Sequence, residues 1–162
     1  SYSTVMMKRL EKEITDMMTP AYGQSELVKK LCAEFQTTDT CAVHVRGGDI
    51  IGPGRAFFER ALARMENERP GLRYLVFTND REAAKEALEG EHTERKMTYI
   101  SELGAFSDID EFFLMAACRH QIISNSSYST WAAYLNPNPE KVVIMPEYKG
   151  CEQIRLKEWI VL

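Results

Sequence analysis

Short apolar segments rich in β-branched residues alternate with helical stripes along most of this chain, and this alternation limits the fold more than any other feature. The strand-like segments are residues 41–45, 74–77, 97–100, 121–123 and 141–145, and the helical stripes between them are residues 56–65, 82–88, 108–118 and 130–135. Such alternation builds βαβ units, in which parallel strands form one sheet covered by helices. The sequence therefore predicts an α/β fold: a Rossmann-like parallel sheet of about five strands with helices on both faces.

The residues before this pattern are expected to form two helices. The first apolar stripe is Met7, Leu10, Ile14 and Met17, and the second is Leu27, Val28, Leu31 and Phe35. Pro20 and Gly23 separate the two stripes. We therefore expect a single domain over residues 1–162, with a helical segment at 1–39 and a Rossmann-like region at 40–162. The Met-rich stripe packs on the sheet or on a partner in this interpretation, so a homo-oligomer is one expectation.

Composition excludes several other classes of protein. The chain has 162 residues and a net charge of −4, which argues against nucleic acid or an anionic membrane as the main partner. No apolar run approaches the roughly 20 residues that a membrane span requires, and no signal-peptide core opens the chain. Cys32, Cys41, Cys118 and Cys151 lack the spacing of a metal site, so we expect a reduced, cytoplasmic protein without a bound metal.

Polar clusters follow three of the predicted strands. In an open α/β sheet, ligands bind outside the carboxyl ends of the strands, so all three clusters belong on one rim. The first cluster includes His44, Arg46 and Asp49, the second is Thr78, Asn79 and Asp80, and the third is Asn125, Ser126 and Ser127. This rim is the predicted functional site.

The first cluster suits a phosphorylated ligand. His44 and Arg46 are two residues apart on a strand and project to the same face. Gly47 and Gly48 permit a tight turn and close approach of the backbone to a ligand. The guanidinium of Arg46 offers a planar set of donors that matches pyrophosphate oxygens. The alternative interpretation is an arginine in a salt bridge followed by a plain Gly-Gly turn.

The other two clusters each have a functional and a structural interpretation. Ser126 and its neighbours precede a helix, where free N–H groups bind anions, but they also suit a plain N-cap. Asp80 suits an N-cap for the helix that starts at Arg81, and the paired acidic residues and later lysine of a phosphoacceptor site are not visible. His120 is expected to cap the carbonyl end of the preceding helix.

Four segments stand out together. They are His44-Val-Arg46-Gly-Gly48-Asp49, Phe77-Thr-Asn-Asp80, Leu114-Met-Ala-Ala-Cys118-Arg-His120-Gln-Ile-Ile123 and Asn125-Ser-Ser-Tyr-Ser-Thr-Trp131-Ala-Ala-Tyr-Leu135. Read in order, they resemble the α-1,2-fucosyltransferases of glycosyltransferase family 11. That family carries His-x-Arg-Arg-Gly-Asp, a Phe-Ser/Thr-Asp/Asn-Asp strand end, a Leu-Met-x-x-Cys-x-His-x-Ile-Ile unit and Asn-Ser-x-x-Ser-x-Trp-x-Ala-x-Leu. The resemblance covers roughly residues 41–148, and the combination is specific although each motif alone is weak.

The resemblance implies a GT-B-like enzyme in which this Rossmann-type half holds GDP-fucose. Arg46 would neutralise the leaving pyrophosphate, and Asp49 is a candidate base by its position on the rim. A carboxylate on the helix before Leu114 would bind the guanine edge, and both Asp110 and Glu111 fit that place. The candidate donor-binding residues are His44, Arg46, Gly48, Asn79, Asp110, Glu111, Asn125, Ser126 and Ser127.

The activity implied is transfer of fucose from GDP-fucose to a galactose-type hydroxyl of a glycan, with inversion and without a metal ion. The partners would be this GDP-sugar and the glycan acceptor. Two departures support an alternative, which is a weak or inactive nucleotide-sugar-binding module or fragment. Gly47 stands where the family has a second arginine, and about forty residues precede the first motif, where full-length relatives have an acceptor-side lobe.

Overall fold

The fold is built on one sheet of six parallel strands. A computed structural model describes residues 8, 12, 23–47, 52–90 and 95–162. The strands are β1 (Thr40–Val45), β2 (Arg73–Thr78), β3 (Lys96–Tyr99), β4 (His120–Ile122), β5 (Val143–Met145) and β6 (Ile160–Val161). The described α-helices are α1 (Glu26–Thr37), α2 (Arg55–Glu68), α3 (Arg81–Leu88), α4 (Asp108–Ala117) and α5 (Ser127–Leu135). The spatial order of the strands is β3-β2-β1-β4-β5-β6.

The predicted Rossmann-like α/β fold is confirmed, with one additional strand. β6 extends the sheet by pairing with β5, where Ile160 lies opposite Ile144. β6 has only two residues and lies within the apolar run 159–162, which was not assigned to a strand from the sequence. The first predicted helix stripe lies outside the described residues.

The central strand β1 separates two layers of the core because its side chains alternate between the faces of the sheet. Val43 and Val45 pack with α2 and α3 on one face. Ala42 packs with α1, α4 and α5 on the other face. Helices therefore cover both faces, as the sequence predicted.

Helix α1 begins at an N-cap, where Ser25 Oγ accepts a hydrogen bond from Val28 N–H. Its buried side chains are Val28, Leu31 and Phe35. Leu27 was predicted to belong to this stripe but is exposed, because it precedes Val28 on the helix and points about 100° away from it.

Two further local predictions were wrong. Helix α5 begins at Ser127 rather than Thr130, because Ser126 ends the extended segment and Thr130 N–H already donates to the Ser126 carbonyl at 3.1 Å. His120 does not cap the preceding helix: it lies on β4, and its Nδ1 accepts a hydrogen bond from Val142 N–H at 2.9 Å. The buried imidazole thus joins β4 to the segment that leads into β5.

None of the described helices is long and apolar enough to cross a membrane. All four cysteines are free thiols; Cys41, Cys118 and Cys151 are buried and Cys32 is half-buried. The described residues contain no group of three or more His, Cys, Asp or Glu side chains placed to hold a metal ion.

Candidate functional site

A cleft of about 730 Å³ opens outside the carboxyl ends of the strands, where the strand order reverses between β1 and β4. This reversal is the place where α/β sheets bind ligands, and the volume suits a small organic molecule. Six of the candidate donor-binding residues line the cleft, together with Thr78 of the second cluster: His44, Arg46, Asn79, Glu111, Ser126 and Ser127. The sheet therefore brings together side chains from three separate clusters and from the start of α4.

His44 is buried near the end of β1 and only 9% exposed. Its Nδ1 lies 2.8 Å from Ser124 Oγ, and its ring centroid lies 5.7 Å from that of Tyr128. Burial and the nearby charge of Arg46 lower the pKa of His44 to about 4. At neutral pH the imidazole is uncharged, and Nε2 is the ring nitrogen left to meet a ligand.

Arg46 is the first residue after β1 and supplies a positive charge to the cleft. Its side chain forms no ion pair or hydrogen bond with any residue that the structure describes, unlike Arg55 and Arg81, which pair with Glu59 and Glu102. An arginine that lines a cleft without a carboxylate partner can bind an anion.

The N-terminus of α5 faces the same cleft. Ser126 is the N-cap residue, and its side chain does not accept a hydrogen bond from the helix. Ser127 is the first helical residue, and its side chain is exposed. The first turn of a helix carries N–H groups without intrahelical partners and a partial positive charge, so this end of α5 favours an anion.

The structure separates the two adjacent carboxylates that the sequence left as alternatives. Asp110 closes a capping box, because its side chain accepts a hydrogen bond from Ser107 N–H at 3.1 Å. Glu111 lines the cleft and also a neighbouring cavity of about 450 Å³ next to Ile100. Burial, together with the charges of Asp108 and Asp110, raises the pKa of Glu111 to about 7.

The other predicted residues differ in their relation to the cleft. Asn125 is in the loop between β4 and α5 and is not among the side chains that line the cleft. Asn79 lines the cleft, but its carboxamide pairs with the backbone of Gly47. Gly48 and Asp49 lie outside the described residues.

Tyr128 and Ser124 are among the residues of this region that were not identified from the sequence. Tyr128 lines the cleft, and its hydroxyl donates to the Asp108 carbonyl at 2.6 Å. Its ring packs edge-to-face on Phe112, which joins α5 to α4. Ser124 holds His44. The position of both residues beside the Asn-Ser-Ser cluster was the one sequence feature that pointed to them. Their hydroxyl partners are 80 and 20 residues away in the sequence, so local patterns could not reveal these contacts.

The cleft thus combines an uncharged imidazole, an arginine without a carboxylate partner among the described residues, a helix N-terminus and a carboxyl group. Such a set at the strand-order reversal is typical of Rossmann-like proteins that bind phosphorylated ligands. The family model described as "Glycosyl transferase family 11" matches residues 24–162. The chain therefore belongs to glycosyl transferase family 11, a fucosyltransferase family.

A curated relative agrees with this assignment. The chain is 28% identical over 151 residues to the O-antigen biosynthesis glycosyltransferase WbnK of Escherichia coli, in an alignment that covers 81% of this chain and 48% of the relative. The chain thus spans about half the length of that relative. No solved structure matches this chain.

Proposed function

We propose that this chain binds GDP-fucose in the cleft and forms the donor-binding half of an enzyme that transfers fucose to a galactose-type hydroxyl of a glycan. Family membership supports the transfer of a sugar. Arg46 and the N-terminus of α5 both face one cleft, and this observation supports a nucleoside diphosphate as the carrier of the sugar, because both groups favour anions.

In this proposal the diphosphate lies between Arg46 and the start of α5. The guanidinium forms charge-assisted hydrogen bonds with phosphate oxygens, and the N–H groups beside Ser126 and Ser127 bind further oxygens. His44 adds a donor without adding a charge, because its pKa is lowered to about 4. A neutral Nε2–H donates to an oxygen when Nδ1 accepts from Ser124.

Glu111 is proposed to recognise the base. A carboxylate can accept hydrogen bonds from two neighbouring donors, as the guanine edge presents, whereas adenine and uracil do not present that pair. The structure favours Glu111 over Asp110 for this role, because Asp110 is held in the capping box at the start of α4.

The proposed reaction inverts the anomeric carbon of fucose. The acceptor hydroxyl oxygen forms a bond to C1 as the bond from C1 to the phosphate oxygen breaks, GDP leaves, and the hydroxyl proton passes to a base. Negative charge develops on GDP, where Arg46 and the α5 N–H groups stabilise it. We propose that this charge stabilisation replaces a metal ion. Asp49 lies outside the described residues, so its role as the base is the prediction made from the sequence.

The first test is ligand binding by the purified chain. GDP at one hundred times its Kd should raise the free energy of unfolding by about 2.7 kcal/mol, and ADP and UDP should do less at the same concentration. Equal stabilisation by all three nucleotides would remove the proposed base recognition, and no stabilisation by GDP would refute the donor site.

Activity distinguishes the enzyme from the alternative, which is a nucleotide-sugar-binding module without transfer. Gly47 favours the alternative, because it leaves one cationic side chain fewer near the donor than the family pattern contains. Release of GDP from GDP-fucose in the presence of a β-galactoside and a chelator supports the metal-independent enzyme. Binding of GDP without transfer or hydrolysis supports the module.

A further inference from the structure

The carboxamide of Asn79 pairs with the backbone of Gly47 in both directions. Gly47 N–H donates to Asn79 Oδ1 at 2.8 Å, and Asn79 Nδ2 donates to the Gly47 carbonyl at 3.3 Å. The regular pairing of β1 with β2 ends at Val45 and Thr78. The side chain of Asn79 therefore supplies a peptide-like donor and acceptor where the backbone ladder stops.

Asn79 lies between the end of β2 and the start of α3, where hydrogen bonds of its two neighbours, Thr78 and Asp80, fix the backbone. Thr78 Oγ1 donates to the Asp80 carbonyl at 2.9 Å and accepts from Asp80 N–H at 3.0 Å. Asp80 also caps α3 by accepting from Ala83 N–H at 3.1 Å. A Cβ on Gly47 would lie 2.6 Å from the Cβ of Asp80, so glycine permits this close approach.

Arg46 lies between the end of β1 and the residue that Asn79 holds. Its side chain has no polar partner among the described residues, so the constraint on where it points comes from the backbone on either side, which fixes the direction of its Cα–Cβ bond. We infer that Asn79 is a positioning residue, which holds Gly47 and thereby directs Arg46 into the cleft, rather than a ligand of the donor. This inference rests on the proposed function, in which Arg46 binds the diphosphate.

One test needs no ligand. Asn79→Ala removes both hydrogen bonds, whereas Asn79→Asp loses the donor to the Gly47 carbonyl but keeps the acceptor for Gly47 N–H, and it serves as the matched control for that second bond. Amide exchange measured by NMR at Gly47 should accelerate about tenfold in Asn79→Ala and stay near the wild-type rate in Asn79→Asp. The ¹⁵N order parameter of the Arg46 amide should fall only in Asn79→Ala. Unchanged exchange and order in Asn79→Ala would overturn the inference.

The second test is a double-mutant cycle with GDP as the probe. Asn79→Ala should weaken GDP binding about tenfold, and adding it to Arg46→Ala should cause no further loss. Additive losses would show that Asn79 contacts the nucleotide itself, and an unchanged affinity in Asn79→Ala would remove the positioning role; each result overturns the inference. Absence of GDP binding in the wild type would refute the proposed function instead. In that case the amide-exchange measurement still tests whether Asn79 holds Gly47 in place.

Discussion

The Nδ1 atom of His44 lies 2.8 Å from the Oγ atom of Ser124, and this buried hydrogen bond joins the ends of β1 and β4 at the strand-order reversal. It spans 80 residues of sequence and holds one wall of the cleft. Both side chains are buried, so neither can replace the other with bulk water.

Ser124→Ala should lower the free energy of unfolding by about 1–3 kcal/mol, because it leaves the buried Nδ1 of His44 without its partner. Urea denaturation followed by circular dichroism measures the change. Ser127→Ala is the control, since Ser127 is exposed and should change stability by less than about 0.5 kcal/mol. Equal stabilities of the two variants would show that the bond contributes nothing.

Arg46→Ala should weaken GDP binding by about 1.5–3 kcal/mol, roughly 10- to 150-fold, because it removes a charge-assisted contact with the diphosphate. Stability should change little, since the guanidinium has no polar partner among the described residues. Isothermal titration calorimetry provides the affinity. Arg64→Ala is the matched control on α2, because Arg64 pairs with Glu68 and is not among the residues that line the cleft. Equal GDP affinity in wild type and Arg46→Ala would contradict the site assignment.

GDP affinity should rise as the pH passes through about 7, the midpoint of the Glu111 ionisation, and level off at higher pH. The pKa of Glu111 is raised to about 7, so the carboxylate that accepts hydrogen bonds from guanine forms only as the pH approaches that value. Glu111→Gln should weaken binding above pH 7 and flatten the profile. The diphosphate titrates in both proteins, so the difference between the two profiles isolates Glu111. Parallel profiles would rule out Glu111 as the base-recognising group.

Acid should destabilise the fold between about pH 6.5 and pH 4. Burial lowers the pKa values of His44 and His120 to about 4, so in this interval the unfolded chain binds protons that the native chain does not. Stability from these groups is complete above pH 6.5 and is lost as the pH falls. Glu111 acts with the opposite sign, because its raised pKa lets the native state keep a proton up to about pH 7.

The variant His120→Gln tests this interpretation, because an amide oxygen can still accept from Val142 N–H without titrating. The slope of unfolding free energy against pH should decrease in this variant between pH 6.5 and pH 4. An unaltered slope would mean that His120 titrates alike in the folded and unfolded chains.

Gly47→Ala should destabilise the protein by about 1–3 kcal/mol, because the new Cβ would lie 2.6 Å from the Cβ of Asp80. Removing that atom in the double variant Gly47→Ala/Asp80→Gly should recover most of the loss, since glycine replaces an N-cap at a cost of only a few tenths of a kcal/mol. Gly23→Ala is the control, because no atom lies within 4 Å of a Cβ there. Thermal unfolding compares the four proteins; equal Tm values for Gly47→Ala and Gly23→Ala would contradict the close packing.

Local signals in the sequence were sufficient to predict the class of fold and most of its elements. The strand at residues 74–77 was found within one residue of β2 at either end, because its apolar run and the Asn79–Asp80 turn are neighbours in sequence. The start of α5 and the strand β6 were missed. The first turn of α5 consists of polar residues without an apolar stripe, and β6 is a two-residue part of the short apolar run 159–162, which was not assigned to a strand.

The sequence by itself determined the alternation of strands and helices, and with it the rim on which His44, Arg46 and Ser126 would lie. Only the tertiary structure decided which of several adjacent polar residues faces the cleft and which has a structural role. It placed Glu111 in the cleft and Asp110 in a cap, and it paired Asn79 with Gly47 across 32 residues. Periodicity and capping depend on residues that are close in the chain. The site depends on contacts between distant strand ends, which exist only once the sheet has formed.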